Sequence, residues 1–385
     1  MQSRERVIAA LELEEPDVVP SYEMYLSPPS TIKEIIGREP VYANTEYLYE
    51  LWSRGKMRDE ESVKKLNRRM VEDCYEAYCK LGLDMIRFWV GTIKPPSSIK
   101  KLSDREWLID GRRVLSEAYT HWNWDSESSV ILKGPEYVHE YVKNEKKRRL
   151  EASREDLVSN LEYMKKLNKD EKFILADVGG IWGPIVSDRY GLTEFLKWFY
   201  LYPDVVRELI EFYADITIEN GKAAIDAGAD GVQICEDYGF RDKSWLSPKH
   251  FREYVFPHLS RMSRIFRRRG AFFVLHSDGN TMPIMKMFAE AKVSAYQSID
   301  KIAGMDLARV KEEIGDKVCL IGNVDHDVLV SSNLGDVKAE VKRCMRSAAY
   351  GGGYIIGCTG AMIDSRLPNL KALIKYSRKY GRYSS

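Results

Sequence analysis

The strongest constraint on the fold is an alternation along the 385-residue chain of short apolar, β-branched segments with long amphipathic segments. The first kind is typical of strands and the second of helices. The strand candidates are, in order, DVVPSYEMY, GLDMIRFWV, KFILADVGG, DGVQICED, AFFVLHSDG, VSAYQSID, KVCLIGNVD and GGGYIIGC. Strands joined by helices pair in parallel through right-handed crossovers, so the sequence predicts an α/β fold, a closed (β/α)8 TIM barrel.

Two segments stand outside this alternation. The sequence RERVIAALELEE precedes the first strand candidate and predicts an N-terminal helical extension. Between residues 103 and 124, the pair Asp110-Gly111 lies between alternating residues, which indicates a β-hairpin. We place this hairpin as an insertion near the barrel mouth. The sequence contains no Pro/Gly/Ser-rich linker, so we expect one domain over residues 1–385.

Composition excludes several classes of function. Lysine and arginine total 59 against 58 acidic residues, so no overall field favours nucleic acid. No apolar run approaches the roughly 20 residues of a membrane helix, and the N-terminus carries acids where a signal peptide is apolar. We therefore expect a cytoplasmic protein without nucleic-acid or membrane partners. The six cysteines are scattered, which favours free thiols or a metal ligand over disulfides.

Polar residues collect at the C-terminal ends of the predicted strands, where the active sites of such barrels lie. His276 and Asp278 are two positions apart, so on an extended strand end both side chains face the same way. Cys358, at the end of the last strand, is placed to meet them across the barrel axis. Three ligands of nitrogen, oxygen and sulfur type leave a fourth position open, the pattern of catalytic zinc. Spacing alone is a weak signal, because a His-x-Asp is more often a hydrogen-bonded structural pair and a lone cysteine is usually a small core residue.

Longer segments resemble a known family over nearly the whole chain. They are RERVIAALELEEPDVVP, LSPKHFREYVFPHLSRM, HSDGN, SIDKIAGMDLARVKEEIGDKVCLIGNVD and GGGYIIGCTGAMIDSRLPNLKALIKYSRKYG. The sequence resembles the uroporphyrinogen decarboxylase superfamily, especially its cobalamin (corrinoid)-dependent methyltransferase branch. That branch has a zinc site written His-x-Cys followed by a distant Cys, which corresponds here to His276, Asp278 and Cys358. The aspartate keeps the ligand charge but is harder than sulfur, which favours a stronger Lewis acid.

The resemblance implies methyl transfer between a small ether, amine or thiol and the cobalt of a corrinoid held by a separate carrier protein. Zinc would bind the heteroatom that carries or receives the methyl group. We expect Glu236 to be a proton donor or further ligand, or else a helix cap. Asn323 either contacts the substrate or holds its loop, and Asp177 is expected to orient His276 through its second ring nitrogen.

Aromatic residues are frequent near the predicted mouth. They suit a flat aromatic substrate, a quaternary ammonium group or the corrin face, although any single one can be ordinary packing. The candidates for binding the cofactor are Tyr22, Trp89 and Trp182, with Tyr25, Trp122 and Trp124 nearby. Barrels of this kind often pair, so a homodimer is also an expectation.

Two other functions remain open. A decarboxylase acting on a tetrapyrrole or a smaller carboxylated ring would need no metal, but its carboxylates would need arginine partners. The segment SYEMYLSPPSTIKEIIG after the first strand contains no arginine before Arg38, which disfavours this alternative. The third possibility is a barrel that has lost catalysis and binds a corrinoid protein. Metal content and turnover separate the three hypotheses.

Overall fold

The structure is a computed structural model that describes residues 1–383 except 27, 117–122, 126–129, 151–152, 170, 183–190, 332 and 361–364. The strands of the described residues are β1 (Met85–Trp89), β2 (Ile99–Ser103), β3 (Glu106–Ile109), β4 (Arg112–Ser116), β5 (Asn123–Asp125), β6 (Phe173–Asp177), β7 (Gly231–Cys235), β8 (Phe272–Ser277), β9 (Ala295–Ser298), β10 (Cys319–Gly322) and β11 (Tyr354–Ile355).

The central feature is a seven-stranded parallel sheet in the order β1-β6-β7-β8-β9-β10-β11. Residues 20–22 lie in the gap between its two edges. Tyr22 N donates to Ile356 O at 2.9 Å, and Asp84 N donates to Ser21 O at 3.0 Å. These bonds join both edges, which confirms the predicted barrel. The predicted first strand is irregular, because Pro20 has no N–H to donate to a ladder.

Helices surround the sheet. They are α1 (Ser3–Leu11), α2 (Pro29–Ile36), α3 (Thr45–Ser53), α4 (Glu60–Leu81), α5 (Val130–Lys133), α6 (Val138–Leu150), α7 (Arg154–Asn168), α8 (Leu192–Leu201), α9 (Pro203–Asp226), α10 (Pro248–His250), α11 (Phe256–Arg268), α12 (Lys286–Glu290), α13 (Leu307–Ile314), α14 (His326–Val330), α15 (Leu334–Ala348) and α16 (Leu367–Tyr380). A π-helical turn, Phe251–Val255, joins α10 to α11.

Local sequence signals set the helix ends. Asp59 caps α4 by accepting from Ser62 N at 3.0 Å, and Gly82 ends this helix in the left-handed conformation with φ of 80°. Ser247 caps α10, and Pro248 occupies its first position, where a missing N–H costs nothing. Within the described residues, none of the helices combines the length and apolar character that crossing a membrane requires.

The barrel interior is closed at one end and polar at the other. Apolar side chains from the strands fill the middle as one buried cluster, and Val7, Ala10 and Leu11 of α1 belong to the same cluster. The members that come from the strands are Met85, Phe173, Leu175, Val274, Ala295, Cys319, Ile321 and Ile355. Helix α1 therefore covers the N-terminal ends of the strands, which leaves the C-terminal ends for polar residues.

The predicted insertion is larger than one hairpin. β2, β3, β4 and β5 form an antiparallel four-stranded sheet. Asp110 and Gly111 turn between β3 and β4 with φ of 48° and 81°, as the Asp-Gly signal predicts. Ile109 of this sheet and Trp89 at the end of β1 line the same cleft, which places the insertion beside the barrel mouth.

A buried carboxylate, Asp84, ties the chain ends to the barrel. It lies just before β1 and is fully buried. Its oxygens accept from Arg6 Nη1 at 2.8 Å, Arg378 Nη2 at 2.9 Å and Ser21 N at 2.9 Å. The ion pairs with Arg6 and Arg378 and the hydrogen bond from Ser21 therefore link α1, α16 and the irregular first strand to the start of β1. A buried charge of this kind is tolerated only while its partners remain.

We expect Asp84→Ala to lower the free energy of unfolding by about 3–5 kcal/mol, because it leaves the paired arginines without their shared anion. Urea unfolding followed by circular dichroism measures the loss. Asp104→Ala is the matched control, since the Asp104 side chain is fully exposed. Equal unfolding midpoints for the two variants would contradict this role of Asp84.

Candidate metal centre at the barrel mouth

A layer of polar side chains lies above the apolar interior of the barrel. Val274 points into the barrel, so His276, two positions later on β8, faces inward as well. In the sheet register His276 is opposite Cys235 of β7 and Gln297 of β9. The polar layer therefore runs across neighbouring strands at their C-terminal ends, as predicted for the site of such a barrel.

Three ligand-type side chains converge in this layer. One ligand atom each from Asp237, His276 and Asp278 lies within 4.8 Å of the others. His276 Nε2 is 3.3 Å from Asp237 Oδ1 and 3.8 Å from Asp278 Oδ2. The structure thus brings together two of the predicted ligands and adds Asp237, the last residue of the strand candidate DGVQICED.

The loops after β7 and β8 interlock, and this aims the two carboxylates. Asp237 adopts a left-handed conformation with φ of 50°, and its Oδ1 accepts from Asp278 N at 3.0 Å. Gly279 has φ of 79°, and a β-carbon there would lie 2.1 Å from Gly239 O. Only glycine permits this approach of the two loops, so Gly279 is required for the placement of Asp237 beside Asp278.

Charge coupling decides the protonation of the group. Burial lowers the pKa of His276, but the charges of Asp278 and Asp237 outweigh it and raise this pKa to about 9. Burial raises the pKa of Asp278 to about 6, whereas the hydrogen bond with His276 overcomes burial and lowers the pKa of Asp237. Near neutral pH, without a metal, a protonated imidazole therefore faces two carboxylates.

The end of β9 supports the end of β8. Gln297 Oε1 forms a short hydrogen bond with His276 Nδ1, and Ser298 Oγ donates to Asp278 Oδ1. Asp300 Oδ2 accepts from Gly279 N at 3.1 Å. The segment QSID thus anchors the segment HSDG at three points, which orients both members of the predicted pair.

The third predicted ligand, Cys358, is not a member of the converging group, and Asp237 stands there instead. Cys358 N lies 3.2 Å from Glu23 Oε2, and its carbonyl accepts from Gln297 Nε2 at 3.3 Å. Burial raises the pKa of the Cys358 thiol, and burial raises the pKa of Glu23 to about 8. The segment nevertheless passes beside the group, because a β-carbon on Gly360 would be 3.9 Å from Asp278 Oδ2. Ligation by Cys358 stays a prediction.

Asp177 does not orient His276, and this expectation is corrected. Its carboxylate forms an ion pair with buried Arg87, and Gln297 occupies the second nitrogen of the imidazole instead. The physical reason is strand order, since β7 separates Asp177 on β6 from His276 on β8. Arg87 also donates to Tyr25 OH at 2.8 Å, so this ion pair forms a second polar cluster of the mouth.

Glu236 and Asn323 both hold loops. The Glu236 carboxylate accepts from Ile181 N at 2.7 Å and Trp182 N at 2.6 Å, which fixes the loop after β6. Asn323 Nδ2 donates to Ile299 O at 2.9 Å, and its Oδ1 accepts from Arg343. The contacts of Asn323 fit the alternative in which it holds its loop, whereas Glu236 binds loop N–H groups and not the first turn of a helix. A part in catalysis stays a prediction for both residues.

The aromatic residues predicted to bind the cofactor differ in burial. Tyr22 is buried inside the barrel and donates to Gln233 Oε1 at 2.7 Å. Trp182 is fully buried among aromatic side chains, whereas Trp89 is partly exposed and stacks on Tyr42 at 5.5 Å. Trp122 and the side chain of Trp124 lie outside the described residues. Cofactor binding by these aromatics stays a prediction.

The group of Asp237, His276 and Asp278 suits a divalent cation. Two carboxylate oxygens and one imidazole nitrogen are ligands that zinc accepts, and they are harder than the set with a thiolate. Two carboxylates also supply the charge that compensates such an ion. Sequence reasoning missed Asp237 as a ligand and Gln297 as a support, although Asp237 ends the strand candidate DGVQICED and Gln297 lies within VSAYQSID.

Sequence comparison relates the chain to proteins of known activity. It matches the family described as uroporphyrinogen decarboxylase (URO-D) over residues 133–380. A methylcobamide:CoM methyltransferase MtaA from Methanosarcina barkeri is 27% identical over 208 residues, which are 53% of this chain and 58% of the relative. A uroporphyrinogen decarboxylase from Chlorobium luteolum is 25% identical over 201 residues, 50% of this chain and 54% of the relative. The matches span less than two thirds of these relatives.

Comparison with solved structures supports the fold over the whole chain. A methyltransferase from Methanosarcina mazei superposes with a TM-score of 0.65 and covers 99% of both chains at 19% identity. At this identity the likeness concerns the fold alone.

We expect Glu236→Gln to loosen the loop after β6, because an amide nitrogen cannot accept from a backbone N–H. Exchange of the amide hydrogens of Ile181 and Trp182 should accelerate about tenfold or more, since a hydrogen bond to a charged group contributes roughly 1.5–3 kcal/mol. Hydrogen exchange measured by mass spectrometry tests this. Glu219→Gln, which changes an exposed glutamate paired with Lys222, is the control. Unchanged exchange in Glu236→Gln would contradict the anchoring role.

Proposed function

The chain belongs to the uroporphyrinogen decarboxylase family, and we propose that it is a methyltransferase that moves a methyl group between a small substrate and the cobalt of a corrinoid, assisted by zinc. The observation that carries the proposal is the convergence of Asp237, His276 and Asp278 at the barrel mouth. The similarity to MtaA, a methylcobamide:CoM methyltransferase, supports the choice of reaction.

The residues present fit a zinc ion. The imidazole presents Nε2 to both carboxylates, at 3.3 Å and 3.8 Å, so the three donors surround one point. Without a metal, the raised pKa of His276 places a proton where a cation would compensate the same two carboxylates. We propose Asp237, His276 and Asp278 as ligands, with Cys358 as a fourth if its segment turns toward Asp278. A bound zinc ion would polarise the heteroatom that carries or receives the methyl group.

The protein side chains would bind, orient and exclude water. His276 and the two aspartates hold the ion, while the hydrogen bonds from the end of β9 keep their side chains in place. Glu236 holds the loop that carries the buried Trp182. The set of two oxygens and one nitrogen favours a harder substrate atom, so an ether oxygen is the preferred leaving group and amines and thiols come second.

The corrinoid would arrive on a carrier protein at the same mouth. Partly exposed Trp89, stacked on Tyr42 next to the antiparallel insertion, would offer an aromatic face to a flat ring. Tyr22 and Trp182 are buried, so they would shape the pocket floor and loop and need not touch the ring.

A decarboxylase function is the weaker candidate. Uroporphyrinogen carries many carboxylates, each of which needs a cationic partner when buried. Arg87, the arginine at the end of β1, is already paired with Asp177 and Tyr25. The irregular first strand and the residues after it provide no arginine before Arg38, whose side chain is paired with Asp73 and Glu76.

We expect the zinc-loaded protein to convert cob(I)alamin into methylcobalamin with one of a panel of methyl ethers, amines or thioethers, or to demethylate methylcobalamin with a thiol. His276→Ala and Asp278→Ala should lower the rate by roughly 100-fold or more, because Lewis-acid stabilisation contributes several kcal/mol. The absorbance of the corrinoid reports the rate, and elemental analysis reports zinc.

His139→Ala is the matched control, because it removes an exposed histidine on α6 that is paired with Glu208. Its rate and zinc content should equal those of the unchanged protein. Decarboxylation of uroporphyrinogen by a metal-free protein would favour the decarboxylase. Corrinoid-protein binding without turnover or zinc would favour a barrel that has lost catalysis.

Zinc affinity should rise with pH. The pKa of His276 is raised to about 9, so between pH 6 and 9 zinc must displace a proton, and its Kd should fall about tenfold per pH unit. Below the pKa of Asp278, about 6, a second proton competes and the dependence should steepen. Competition with a chromogenic chelator measures Kd. A flat profile in the unchanged protein would contradict the assignment.

A further inference from the structure

We propose that Gln297 is a positioning residue, which holds the imidazole proton of His276 on Nδ1 and so reserves Nε2 for the cation. This inference rests on the proposed function, since it concerns the same metal centre. Under this inference, a residue of β9 determines which of the two imidazole nitrogens of His276 is free to bind the metal. Neither His276 nor the two aspartates can determine this alone.

The strand register brings the two side chains together. His276 and Gln297 are paired positions of the parallel ladder between β8 and β9, and both side chains point into the barrel. Their relative exposures are 3% and 1%, so bulk water does not compete for their polar atoms. A hydrogen bond between them is therefore enforced by the sheet and strengthened by burial.

The chemistry around Gln297 decides which end of its amide faces the imidazole. Gln297 Nε2 lies 3.3 Å from the carbonyl oxygens of both Cys358 and Thr359. Carbonyl oxygens only accept, so the amide NH2 must face them. The amide oxygen consequently faces His276 Nδ1 and can only accept from it. Exchanging the two ends would set the amide oxygen against two carbonyl oxygens, neither of which can donate a hydrogen bond to it.

This orientation determines the imidazole tautomer. Nδ1 keeps its hydrogen because Gln297 Oε1 accepts it, and the lone pair of the neutral ring is then on Nε2. Nε2 is the atom that faces Asp237 and Asp278. The imidazole thus presents its only free lone pair to the point where the carboxylates converge.

The same amide ties the segment of Cys358 to the site. By donating to the carbonyls of Cys358 and Thr359, Gln297 holds that segment against β9 while its oxygen holds His276. Ser298, the next residue, holds Asp278. The end of β9 therefore positions two ligand side chains and the backbone of the third predicted ligand, and Gln297 makes two of those three connections.

The test compares Gln297→Met, which keeps the size but removes both polar ends, with Gln297→Glu, which keeps an acceptor for Nδ1–H. Gln297→Met should weaken zinc binding about 10–100-fold, whereas Gln297→Glu should stay within about tenfold of the unchanged protein. The second readout is the ¹⁵N-coupled Nδ1 proton of His276 in the metal-free protein. It should exchange slowly in the unchanged protein and in Gln297→Glu, and be lost in Gln297→Met.

Gln233→Met is the matched control. Gln233 is an equally buried glutamine inside the same barrel that contacts Tyr22 and Cys235 instead of His276. It should leave both the Nδ1 proton signal and zinc affinity unchanged, and an equal loss in Gln233→Met would assign the effect to core packing and overturn the inference.

The outcomes separate this inference from the proposed function. Zinc binding that is equal in the unchanged protein and Gln297→Met, with the Nδ1 proton retained, overturns the inference and leaves the function standing. An unchanged protein that binds no zinc overturns the metal-dependent function, while the Nδ1 proton still decides whether Gln297 fixes the tautomer. If Gln297→Met does not fold, absence of the protected proton from both Gln297→Glu and the unchanged protein overturns the inference.

Discussion

The charge arrangement of His276 between Asp237 and Asp278 is the interaction on which the barrel mouth depends. Two partly exposed carboxylates flank one buried imidazole, and their charges favour a positive charge among them, either a proton or a metal ion. The interlocked loops after β7 and β8 hold this arrangement from one side, and the end of β9 holds it from the other. The site is thus built on three neighbouring strands, which limits the freedom of its side chains.

Other polar groups of the barrel mouth are paired with one another or with the backbone, and not with the residues of the candidate metal centre. Arg87 and Asp177 neutralise each other on β1 and β6, so their charges are compensated without drawing on His276. Glu236 satisfies two backbone N–H groups of the loop that carries Trp182. Below, the apolar interior and helix α1 close the barrel. A ligand would therefore meet the metal centre from the C-terminal side, where a corrinoid carrier would also have to approach under the proposed function.

Different residues of the site were predictable to different degrees. His276 and Asp278 follow from a strand period of two and from the resemblance to the methyltransferase branch. Asp237 was missed as a ligand, because an acid that follows a strand can equally cap the next helix. The orienting role expected of Asp177 was wrong, because β7 separates β6 from β8 and the Asp177 carboxylate forms an ion pair with Arg87. Neither the strand order nor this ion pair can be read from the sequence. Gln297 has no sequence signal beyond its position near a strand end. The role of its side-chain amide depends on hydrogen bonds to residues more than 20 positions away in the sequence.

The sequence by itself determined the barrel, its apolar interior and the end at which polar residues collect. These properties depend on short-range periodicity and on the order of strands and helices, which local residues encode. The tertiary structure alone decided which polar residues meet: Asp237 rather than Cys358 beside His276, and Gln297 rather than Asp177 behind it. It also decided that the predicted hairpin is part of a four-stranded sheet and that the first strand is irregular. Such choices depend on register, loop conformation and competition among buried charges, which become defined only when distant segments pack together.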